Sequence, residues 1–167
     1  TGMKRRLIVA RALVNEPKIL LLDEPTTGLD PQARHQVWDE IRALRKRGVT
    51  VILTTHYMDE AESLCDRILI MDNGKIIEQG SPVDLVKKYA GDDVLEFDMN
   101  EQLIQALKTE LSDAEIEIFG DRVHVFTAQS HGIFERFLEN NKGTNITIRN
   151  ANLEDVFLKL TGRKLRD

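Results

Sequence analysis

The sequence contains no apolar run approaching the roughly 18 residues of a membrane-spanning helix, and no secretory signal opens it. The chain is therefore not expected to cross a membrane by itself. Cysteine occurs once, as Cys65, among 167 residues. One thiol excludes an internal disulfide framework and fits a reducing compartment. As a small hydrophobe on a helix, Cys65 is expected to be buried. No Cys/His or His/His spacing supports a zinc site, and no Ser-His-Asp arrangement or Gly-x-Ser element marks a nucleophile. Gly-x-x-x-x-Gly-Lys-[Ser/Thr] is absent as well, so these residues hold no phosphate-cradling loop. Internal repeats and low-complexity segments are also missing.

What is present is a chain 41% hydrophobic and 31% charged, sufficient for a packed core in one domain or one and a half. Its charge is uneven. Residues 1–91 carry 14 Lys and Arg against 13 Asp and Glu, whereas residues 92–167 carry 9 against 15. The acidic second half argues against nucleic-acid binding there, and the chain changes character near Gly91.

One stretch organises the first half: Ile19-Leu-Leu-Leu-Asp-Glu-Pro25. An unbroken apolar run this short, between Pro17 and Pro25, predicts a strand of a parallel sheet buried on both faces. It delivers Asp23 and Glu24 at its carboxyl end, the edge at which open α/β sheets bind ligands. Adjacent carboxylates are costly there unless a cation or a proton transfer uses them. The first suits a hydrated Mg²⁺ and the second an attacking water, the two needs of phosphoryl transfer from a nucleoside triphosphate.

Around this strand the spacing predicts alternating helices and strands. A helix over about Met3–Val14 begins at Thr1-Gly2, whose free amides and positive dipole end suit an anion. Asp30-Pro31 starts a second helix, ended at Gly48, with Val37, Ile41 and Leu44 as its buried stripe and Trp38 bordering it. Val49–Thr55 is a strand running into His56, which therefore shares the edge with Asp23 and Glu24. A short helix from Tyr57 to Cys65 should turn Met58, Ala61 and Leu64 inward and Asp59, Glu60 and Glu62 outward. Asn73-Gly74 marks a hairpin, and Ser81-Pro82 caps a helix through Tyr89. His35 and His124 read as surface or hairpin residues, and His131 lies near a helix start. After Gly91 the pattern is strand, helix, hairpin across Gly120-Asp121, helix, strand and a last helix, a ferredoxin-like order.

The series Thr1-Gly-Met-Lys-Arg-Arg, Leu20-Leu-Leu-Asp-Glu-Pro25, Thr27-Gly-Leu-Asp30 and Thr54-Thr-His56 resembles the ATP-binding subunit of an ABC transporter over residues 1–90. Thr1-Gly2-Met3 is similar to the tail of the family signature Leu-Ser-Gly-Gly-Gln, with Thr and Met in place of Gly and Gln. The segment Asn152–Arg163 resembles the tail of drug- or antibiotic-exporter ATPases, where a small accessory domain follows the nucleotide-binding domain.

The fold implied is α/β: a partial P-loop NTPase layer over residues 1–91, lacking the Walker A half, then an α+β ferredoxin-like accessory domain over residues 92–167. The cofactors implied are ATP and Mg. Asp23 would hold Mg²⁺ through water, Glu24 polarise the attacking water, and His56 clamp the γ-phosphate. Thr1 and Gly2 of the signature, and Asp30 of the D-loop, would act across a head-to-tail homodimer. Closure of that dimer would drive an integral membrane permease from the cytoplasmic face, with no nucleic acid involved. The phosphate loop, glutamine loop and adenine-stacking aromatic are expected upstream of Thr1, so these residues alone should bind ATP weakly or not at all. The competing expectations are an ABC-class ATPase that serves no transporter, and a regulatory or dimerisation role for residues 92–167 through edge-to-edge sheet pairing.

Overall fold

The computed structural model describes residues 16–110, 114–127, 133–141 and 145–162. Thr1, Gly2, the helix expected over 3–14 and His131 lie outside them. The chain divides into two compact units, residues 1–66 and 67–167.

In the first unit, strand β1 (Ile19–Asp23) pairs in parallel with β2 (Thr50–Thr54), with Leu21 opposite Ile52 and Asp23 opposite Thr54. Helix α1 (Pro31–Lys46) makes the crossover. It starts where expected, because the Asp30 carboxylate accepts from the Ala33 N–H at 2.8 Å and Pro31 has no N–H to leave without an acceptor. It ends at Gly48, whose φ of +86° few other residues adopt without strain. Helix α2 (Met58–Leu64) follows β2. Val37, Trp38, Ile41 and Leu44 of α1 and Leu64 of α2 pack on Leu20 and Leu22 to form the core.

Among the described residues the strand is covered on one face only, which corrects the expectation of burial on both. Period-2 alternation sends Leu20 and Leu22 under the helices and turns Ile19 and Leu21 the other way. Leu21 is 72% exposed and Ile52 beside it 53%. The apolar run records that both faces are apolar, while the described helices cover just one.

The second unit opens with a hairpin, β3 (Ile68–Asp72) and β4 (Lys75–Gly80). Asn73 and Gly74 both have positive φ, +48° and +73°, as a two-residue turn with the strand twist demands. Helix α3 (Pro82–Tyr89), capped by Ser81, comes next. Then follow β5 (Asp93–Asp98), α4 (Glu101–Glu110), β6 (Glu115–Phe119), β7 (Arg122–Thr127), α5 (Ile133–Asn140), β8 (Ile146–Asn150) and α6 (Leu153–Thr161). The last four strands form an antiparallel sheet in the order β6-β7-β5-β8, the ferredoxin-like arrangement. Leu95, Phe97, Val123 and Val125 face α4 and α5, where Leu103, Ile104, Leu107, Phe134 and Phe137 complete a dry core. Within this unit α3 packs against α6, and Lys159 Nζ donates to the Tyr89 carbonyl at 2.8 Å.

The opposite sheet face carries a buried polar network. Arg149 donates to both oxygens of the fully buried Asp155 at 2.7 Å and to Glu96 at 2.7 Å. Asp155 also accepts from the Asn152 N–H, closing a capping box at the start of α6. Burial works against the ionised Asp155, but Arg149, His124 and the Asn152 amide prevail and hold its carboxyl down to about 2. His124 lies on the expected hairpin but is buried, 3.4 Å from Glu96 and wedged beside Phe119. Pairing with carboxylates across the strands removes it from the surface.

Candidate functional site

The carboxyl end of the β1–β2 pair gathers three of the residues singled out in the sequence. Asp23 closes β1 opposite Thr54, and the Thr54 hydroxyl donates to Asp23 Oδ1. The same hydroxyl accepts from the Glu24 N–H at 3.2 Å, and the Thr54 carbonyl accepts from that N–H at 3.0 Å. Glu24 has a φ of +43°. A left-handed conformation costs a side-chain-bearing residue roughly 1–2 kcal/mol. It breaks the strand alternation, so Glu24 leaves the sheet in a new direction while Asp23 stays on the exposed face with Ile19 and Leu21. Strain of this kind concentrates at functional positions.

The Glu24 carboxylate is held from two sides. His56, two residues past β2, places Nδ1 3.3 Å from Oε1, and Thr27 Oγ1 donates to Oε2 at 3.2 Å. A carboxylate has about four acceptor positions, so capacity remains for a water molecule. Glu24 is also half-exposed, which leaves it accessible to one. Asp30, six residues on, is occupied as the cap of α1 and stands apart from this cluster. Thr1 and Gly2 fall outside the described residues.

The donor set suits a hydrated divalent cation that is bound through one or two carboxylates and the phosphates of a nucleotide. Asp23 is exposed, and Thr54 orients one of its oxygens. Among the described residues no cluster of three His, Cys, Asp or Glu forms an all-protein metal cage.

Sequence reading missed Thr54 as the hydroxyl that joins Asp23 to Glu24, and it misplaced Glu60. Expected on the outer face of α2, Glu60 is fully buried, accepting from Thr26 Oγ1 at 2.8 Å and Trp38 Nε1 at 2.9 Å. Helical spacing alone points it inward beside Ala61 and Leu64, and only its charge argued otherwise. Trp38 is buried core, as expected, with its indole N–H satisfied by this carboxylate.

Residues 101–162 match the family described as the C-terminal domain of Nodulation factor export protein NodI, and residues 1–58 match an AAA domain family. Over nearly its whole length the chain is similar to curated ATP-binding proteins of an export system. In particular it is similar to the Nod factor export ATP-binding proteins I. That of Burkholderia orbicola is 47% identical over 99% of this chain and 54% of its own length. That of Rhizobium etli is 46% identical over 98% of this chain and 52% of its own length. The chain spans about half the length of the curated relatives it matches. A solved structure described as the ATP binding subunit of an ABC transporter is 32% identical, with a TM-score of 0.48, over 53% of this chain and 37% of that one. No described helix is long and apolar enough to cross a membrane.

Proposed function

We propose that the protein is the ATP-binding and ATP-hydrolysing subunit of an ABC exporter. The observation that carries this is the convergence of Asp23, Glu24 and His56 on one strand edge, with Glu24 and His56 3.3 Å apart. Residues 1–91 would be the later part of its nucleotide-binding domain and residues 92–167 its accessory domain. By their names the relatives serve the export of Nod factor, and export is the direction proposed here.

Mg²⁺ bound with the nucleotide would supply charge neutralisation to the triphosphate. The remaining work falls to side chains of this chain. Asp23, steadied by the Thr54 hydroxyl, holds the cation's water shell. Glu24 accepts a proton from the attacking water, its carboxylate aimed by His56 and Thr27. His56, on the same edge, orients the γ-phosphate. Thr1 and Gly2 offer backbone amides to the nucleotide of a second copy, and Asp30 lies at the contact between the two copies. The homodimer works on a membrane permease from the cytoplasmic face.

The test is the Glu24→Gln variant of the full-length protein. It should bind ATP with unchanged affinity and release phosphate about two to four orders of magnitude more slowly, the range for loss of a positioned base. Turnover near the wild-type rate would remove Glu24 from that role.

A further inference from the structure

We infer that Glu60 is a positioning residue for this reaction: its buried carboxylate clasps the loop after Glu24 to the helix that follows His56. The inference rests on the reading of Glu24 and His56 given above.

Glu60 and Thr26 are both 0% exposed, and Trp38 is 6% exposed. Burying a carboxylate is costly unless donors or a cation offset it. Among the described residues no ion pair reaches Glu60. The cation of the neighbouring turn, Arg34, is held by Asp59 at 3.2 Å and lies over the Tyr57 ring at 4.3 Å. Glu60 instead collects two neutral donors on one oxygen, the Thr26 hydroxyl and the Trp38 indole, while its Oε2 has no partner among the described residues. A helix that needed only an apolar contact here would be better served by leucine. A carboxylate at this site is explained by what its two donors belong to.

Thr26 lies in the turn between Glu24 and Asp30, and Trp38 lies in α1, which starts at Asp30. Glu60 therefore holds the turn directly through Thr26 and grips the helix beyond it through Trp38. The turn adds only two backbone bonds of its own, Thr27 N–H to Glu24 O at 3.3 Å and Leu29 N–H to Thr26 O at 3.1 Å. The contacts close into a ring. Glu60 holds Thr26, its neighbour Thr27 holds Glu24 Oε2, Glu24 Oε1 meets His56, and His56 returns through three residues of chain to Glu60. Within that ring the contacts of Glu24 with Thr27 and His56 are long, at 3.2 and 3.3 Å, and the bond between Glu60 and Thr26 is short. The aim of Glu24 thus depends on the buried clasp.

The experiment compares steady-state ATP hydrolysis of the full-length protein with its Thr26→Val, Thr26→Ser and Glu24→Gln variants. Thr26→Val keeps the shape and removes the hydroxyl. It should lower kcat roughly 10-fold or more, since a misplacement of about 1 Å costs on the order of 10²-fold. KM for ATP should stay within about twofold, because the clasp bears on the aim of Glu24, which acts on the attack rather than on nucleotide capture. Thr26→Ser restores the donor and should restore kcat. Should Thr26→Val not fold, Thr26→Ala decides by the same criteria. A folded hydroxyl-free variant with wild-type kcat, or a serine variant as slow as the valine one, overturns the inference. Slow Glu24→Gln beside normal Thr26→Val would sink Glu60's role alone; normal turnover by Glu24→Gln would sink the underlying reading.

Discussion

Replacing Asp155 by alanine should destabilise the second unit. Asp155 is fully buried, takes two 2.7 Å bonds from Arg149, and accepts the Asn152 N–H at 2.9 Å. Breaking a buried ion pair from one side costs about 3–5 kcal/mol, because the abandoned charge stays desolvated. Here Arg149 is only part-buried and keeps Glu96 at 2.7 Å, which pulls the figure to the low end. Loss of the capping bond adds about 1 kcal/mol. The expected total is about 3–4 kcal/mol, or a fall of about 2 M in urea midpoint for a slope near 1.5 kcal/mol/M. Trp38 is the only tryptophan and sits in the first unit, so its fluorescence isolates that unit, while far-UV circular dichroism follows both. The dichroism transition of Asp155→Ala should move to lower urea. A loss below about 1 kcal/mol would refute the argument that Asp155 anchors α6 to the sheet.

Two further outcomes follow from the same contacts. The Asp155 carboxyl is lowered from 3.8 to about 2 in the folded chain, so its contribution is complete above pH 4 and is lost as pH falls from there toward 2. Acid titration should therefore unfold wild type in that window more steeply than Asp155→Asn. In the first unit, Asp30→Ala removes the bond to the Ala33 N–H; it should lower stability by about 1 kcal/mol, read by Trp38 fluorescence in urea.

Local signals made the element order legible. Asp30-Pro31, Ser81-Pro82 and Asn73-Gly74 each satisfy a backbone need within three or four residues, so their chemistry is complete in the sequence itself. The edge shared by Asp23, Glu24 and His56 was readable because strand ends are set by where apolar runs stop. What could not be read depends on distant partners. Glu60 is stable in the interior only because Thr26 and Trp38, 34 and 22 residues away, bring donors to it. His124 is buried because Glu96 lies opposite it on β5. The exposure of Leu21 reflects which layers cover the sheet, and an apolar run is silent on that. Thr54 sat in plain view beside His56, but its two-way hydrogen bonding required the register of β1 against β2.

The role of this strand edge is tested most directly by phosphate release from the full-length protein, measured against Mg²⁺ concentration for wild type, Asp23→Asn and Glu24→Gln. Asp23→Asn should raise the Mg²⁺ needed for half-maximal rate, because it weakens the hold on the cation's water shell. Glu24→Gln should leave that midpoint in place and lower the plateau by about two to four orders of magnitude. Wild-type midpoint and plateau in both variants would contradict the assignment of this strand edge to a metal-bound triphosphate.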